Sequence, residues 1–130
     1  MKTSVQELTL PVFTLELSKT ETTLSGIDDV VRFLTERVDA HPLARFVAVY
    51  DHHAHTRSLE SGYVDPSIVA ARSIVLCFGL TLPGPASMAL RPRSMGVCEF
   101  ADRFVVTFAE GPMPVANLAM ERWAEAIATA

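Results

Sequence analysis

Charge is scarce in this chain. Only 20% of its 130 residues are Asp, Glu, Lys or Arg, and the 11 basic residues are outnumbered by 15 acidic ones. A nucleic-acid binder needs a basic face to neutralise phosphates, so a net charge of −4 argues against one. Cysteine is scarce too. Cys77 and Cys98 stand alone among apolar neighbours and form no disulfide framework. Met1 to Glu7 has no continuous apolar run and no small-residue cleavage site, so no export signal is read there. Reduced thiols in the cytoplasm are the expectation. A membrane-spanning run is also lacking. The longest uncharged stretch, Ser73 to Leu90, is broken by Thr81-Leu82-Pro83-Gly84-Pro85, which would leave helix backbone groups unpaired in hydrocarbon. There is no phosphate-cradling glycine loop, no G-x-S-x-G, no C-x-x-C, no H-E-x-x-H and no internal repeat.

Apolar side chain, in contrast, is abundant: 49% of residues are hydrophobic and the mean hydropathy is +0.27. That is enough to offset the entropy of ordering the backbone, which excludes a disordered chain. The length favours one domain over residues 1–130. A positive mean hydropathy at this size asks for a ligand or a partner to cover apolar surface.

Leu8 to Leu17 reads as a half-buried strand, with Phe13, Leu15 and Leu17 on one face and Pro11 marking an edge or a bulge. Ser18 to Thr23 is a polar loop. Ser25 with Asp28 predicts a helix start, followed by Ile27, Val30, Val31, Leu34 and Val38 at helical spacing, and Pro42 ends the helix. Phe46 to Tyr50 is a strand, running into Asp51-His52-His53-Ala54-His55 and a polar loop through Gly62. Asp65-Pro66 predicts a short helical turn over Ser67 to Arg72. Strands follow at Ile74 to Phe78, Met95 to Phe100 and Phe104 to Phe108, the last two joined as a hairpin. A final helix carries Ala116, Ala119, Met120, Trp123 and Ile127. The expected class is α+β: an antiparallel sheet of about five strands, ordered β-α-β-β-β-β-α, with two main helices on one face.

Three of those strands, Phe46 to Tyr50, Ile74 to Phe78 and Phe104 to Phe108, are apolar on both faces, with Thr107 the one polar member. Two helices cover only one face. The other would present Val, Phe or Cys to water at roughly 25 cal/mol per Å² of apolar area. A homodimer through the open sheet face is therefore expected.

The segment from Phe46 to Asp51-His52, the strand ending in Cys77, the strand Gly96 to Phe100 and Gly111-Pro112 together resemble family three-hundred-and-two of the domains of unknown function, a small bacterial family. The resemblance implies a fold like one half of the TATA-box-binding protein, and a dimer. It implies no activity, and fold likeness to a DNA-binding protein carries no DNA binding. Phe78-Gly79 stands where that family has Asn-Pro, and Val97 where it has Pro.

Candidate site residues fall in three sets. If the strand continues, Asp51, His53 and His55 share one face and His52 the other. With a Cys thiolate from Cys77 or Cys98 they could ligate a transition metal or haem. The plainer reading is a solvated strand end. Cys77 and Cys98 would act together only if their strands bring them into register; otherwise each is a small core hydrophobe. Arg91 and Arg93 project to one side of an extended segment, which suits a carboxylate or phosphate. Alternatively they guard an edge or pair with Glu99 or Asp102. The rigid Leu82 to Pro85 turn could form a pocket lip. Three functions follow: a dimeric binding module with the arginines and His52 and His53 near its pocket, a metal- or haem-binding protein, or a small enzyme with a histidine general base.

Overall fold

The computed structural model describes all 130 residues. Five strands form one antiparallel sheet in the order β1-β5-β4-β3-β2, the α+β arrangement that the strand pattern predicts. They are β1 (Val12–Ser18), β2 (Ala44–Asp51), β3 (Ala70–Phe78), β4 (Arg93–Glu99) and β5 (Arg103–Ala109). The helices are α1 (Ile27–Ala40), α2 (His52–Ser58) and α3 (Pro114–Glu125). No helix is long and apolar enough to cross a membrane.

The period-2 pattern of the strands sets the two faces. Ile74, Leu76 and Phe78 of β3, Met95 and Val97 of β4, and Phe104, Val106 and Phe108 of β5 are buried on the helix side. Against them lie Val30, Leu34 and Val38 of α1, and Ala116, Met120 and Trp123 of α3. The predicted stripes of both helices are thus the ones that close the core. Phe46 also packs against this cluster, so none of the strand phenylalanines points to the open side. By alternation the open face carries Ser73, Val75 and Cys77, then Ser94, Gly96 and Cys98, then Val105 and Thr107. It is smaller and more polar than the composition of these strands suggests.

Local chemistry moves several boundaries. β1 is an edge strand, as Pro11 implies, but it begins at Val12, and the Pro11 carbonyl accepts from Glu110 N at 2.8 Å. The loop after it opens with a 3-10 turn, Lys19–Glu21, held by a Ser18–Glu21 capping box. At α1 the cap sits one residue later than predicted. Gly26 is the N-cap, and the Ser25 amide and hydroxyl both donate to Asp29 Oδ2. No helical turn covers Ser67 to Arg72. The Asp65 carboxylate accepts from the Ser67 amide and hydroxyl, closing a tight turn, and Ala70 already pairs with Glu99.

Candidate functional site

After β3 the chain runs through the Pro83-Gly84-Pro85 turn into a 3-10 segment, Pro85–Leu90. It returns to the sheet at Arg93, the first residue of β4. Arg93 alternates with Met95 and Val97, so its side chain leaves the sheet on the helix side, towards α3. There one guanidinium nitrogen donates to Asn117 Oδ1 at 2.7 Å, and Asn117 Nδ2 donates to the Gly111 carbonyl at 2.7 Å. Gly111 is buried against the same guanidinium: a Cβ there would stand 3.1 Å from Arg93 Nη2. Asn117 and Gly111 therefore fix the direction of Arg93.

Arg91 and Arg93 line one pocket of about 170 Å³, with Cys77, Thr81 and Ser87 supplying polar atoms and Pro112 and Met113 apolar wall. Pro83 closes one side, which makes the proline turn the lip that its rigidity predicts. Neither arginine forms an ion pair. Glu99 is taken by Lys19 at 2.7 Å and Asp102 by Arg103 at 3.0 Å, so the alternative pairing of Arg91 or Arg93 with these acids does not occur. Burial first, and the adjacent Arg91 charge second, lower the Arg93 pKa from its usual value; Cys77 and Glu110 act the other way. Two half-sequestered cations facing one cavity, neither of them ion-paired, suit a carboxylate or phosphate.

The histidines lie elsewhere. β2 stops at Asp51, whose carboxylate accepts from Ala54 N at 2.9 Å and caps α2. Residues 52–58 are therefore helical, and the strand alternation expected for Asp51, His53 and His55 is lost. His52 and His55, one turn apart, both meet the edge of the Tyr50 ring. His52 Nε2 and Ser73 Oγ are hydrogen-bonded at 2.8 Å, and Tyr50 Oη is bonded to His55 Nδ1. His53 instead lines a separate cleft with Arg57, Tyr63 and Asp65. From Ser73, where His52 is held, to Cys77 at the arginine pocket is four strand residues, roughly 13 Å. The structure does not bring the histidines and arginines together.

Nor does it assemble the proposed metal set. β3 and β4 are neighbours, but Cys98 pairs with Ala71, six residues along from Cys77, so roughly 20 Å separates the thiols. Asp51 is engaged as a cap and lies 3.7 Å from Arg72 Nε. No group of three or more His, Cys, Asp or Glu side chains is placed to hold a metal ion. Burial pushes the Cys98 thiol pKa up.

Four contributors escape the sequence patterns. Asn117 carries no signal of its contact 24 residues away. Glu99 reaches from β4 to accept from the Ile27 amide at 2.8 Å, serving as the side-chain cap that Gly26 cannot supply. Glu110 and Glu121 share a hydrogen bond that, with burial and repulsion between them, raises the Glu121 pKa.

No curated protein and no solved structure matches the chain. The short motifs resemble a family without an assigned function, and the family found is of that kind, though not the one of that number. A family model covers residues 1–129, and by that match the chain belongs to the family of unknown function DUF6858.

Proposed function

We propose that this protein is a non-enzymatic binding module that takes a small carboxylate or phosphate in the Arg91/Arg93 pocket. The observation that carries the reading is the pair of guanidiniums that line one cavity and form no ion pair. Arg93 is pre-oriented by Asn117 and Gly111, so little side-chain entropy is lost when an anion arrives. The module acts as a homodimer through the open sheet face, in the cytoplasm, where Cys77 and Cys98 stay reduced. The element order, strand, helix, four strands and helix with α2 inserted, supports the likeness to one half of the TATA-box-binding protein.

Calorimetric titration with acetate and with inorganic phosphate tests the site. Binding of either anion is expected to weaken about ten- to hundredfold in Arg91→Gln, the worth of one charge-assisted hydrogen bond. Absence of heat with both anions would remove the reading.

A further inference from the structure

The surroundings of the arginine pocket are not those of a site for a bare ion. The loop that walls it carries Leu80, Leu82 and Met88, each more than half exposed. A second, larger cavity of about 650 Å³ adjoins it, its wall apolar at Leu8, Ala86, Ala89 and Leu90 and polar at Ser4 and Gln6, with Ser87, Leu90 and Pro112 common to both. Large apolar side chains left in water cost stability, at roughly 25 cal/mol per Å², and a cluster of them beside unpaired cations is a pattern with a chemical complement. That complement has an anionic head and an apolar body.

We infer that the ligand is a single-chain aliphatic carboxylate. Its head group sits between Arg91 and Arg93, and its chain runs over Leu90 and Pro112 into the groove beside Leu8. The inference rests on the anion-binding reading and adds the ligand class to it. A carboxylate fits the head pocket because its two oxygens can accept from both guanidiniums at once. A linear chain suits the groove because Ser87, Leu90 and Pro112 border both cavities, so these three side chains are all that the chain must cross between them. No bond is made or broken, so the site works by burial and charge alone.

The test is a chain-length series, from acetate through butanoate and hexanoate to monomeric octanoate, titrated into the full chain by calorimetry. Affinity is expected to rise up to about fourfold for each methylene buried, the equivalent of roughly 0.8 kcal/mol. Arg91→Gln should lower the affinity for every member, while Leu8→Ser should flatten the rise towards octanoate. Trp123 stacks on Phe78, which lines the head pocket, so its fluorescence gives an independent readout. Acetate and phosphate binding as tightly as octanoate would overturn this inference and leave the anion-binding reading standing. Silence with every anion would overturn both. Binding to vesicles of phosphatidylcholine and phosphatidylglycerol without binding of octanoate would overturn it in favour of a membrane surface.

Discussion

At the scale of single residues, the positions that matter are those whose polar groups have one partner and no substitute. Asn117 bridges Arg93 and the Gly111 carbonyl from a half-buried place on α3. Asn117→Ala leaves both groups unsatisfied, and a loss of about 1–3 kcal/mol in urea unfolding is expected. The same variant should weaken anion binding, because Arg93 is no longer aimed. Asn117→Asp should recover only the Arg93 contact, because a carboxylate cannot donate to the Gly111 carbonyl, and should keep binding weak, since that carboxylate competes with the ligand. The Glu110–Glu121 pair makes a prediction with a definite sign. The Glu121 pKa is raised in the folded chain, so its contribution is fully present below the ordinary carboxyl range and is lost as pH rises through the raised value. Glu121→Gln keeps a donor for Glu110 and removes the repulsion. The variant should therefore melt above the parent at about pH 7, and the difference should vanish towards about pH 4. An advantage that grew on acidification would contradict this account.

Elements in this fold are held by contacts between segments distant in sequence, and α1 is the clearest case. Its first turn has Asp28 and Asp29 to complement the helix dipole, but the Ile27 amide is satisfied by Glu99, 72 residues on. Glu99 also holds Lys19, so Glu99→Ala uncaps α1 and strands a half-buried ammonium at once. A loss of about 1–3 kcal/mol is expected, with thermal melting as the measure, and Glu99→Gln should recover part of it through the retained carbonyl. The strands and the stripes of α1 and α3 are legible in the sequence because each is written by periodicity within one segment. The helix α2 is not. Asp51-His52-His53 extends an apolar strand as plausibly as it starts a helix, and the Asp51 cap on Ala54 decides the matter. That decision also removes the strand alternation by which Asp51, His53 and His55 would share a face. Arg91 and Arg93 line one pocket, but not through the alternation of a single extended segment, since Arg91 caps the 3-10 segment and only Arg93 belongs to β4. The support of Arg93 by Asn117 and Gly111 is not legible either, because it depends on where α3 docks. Gly62 is a related case: a Cβ there would stand 1.9 Å from the Thr56 carbonyl oxygen, so Gly62→Ala must push the loop off the end of α2.

For the whole molecule, what remains is the open face of the sheet. Its helix side holds every strand phenylalanine, leaving Val75, Val105, Cys77 and Cys98 among Ser73, Ser94, Gly96 and Thr107 on the other. Five strands spaced about 4.8 Å apart, each of about seven residues, present roughly 24 by 23 Å. Two such faces bury on the order of 1,100 Å² together, close to the lower bound for a specific interface. The driving force is correspondingly modest, because small and hydroxylic side chains dilute the apolar area. The dimer proposed here should therefore separate on dilution rather than persist as an obligate pair. Sedimentation over a concentration series should show the change from dimer to monomer. Val105 lies on the open face one strand in from the edge, opposite Cys98 on one side and Glu16 on the other. In a twofold interface each substitution occurs twice, so Val105→Arg sets two like charges near each other at the cost of several kcal/mol. That variant should sediment as a monomer at all concentrations with an unchanged far-ultraviolet spectrum, and maleimide should label its Cys98 faster than in the parent. A parent that is monomeric throughout the series would leave the open face without a second copy as its cover.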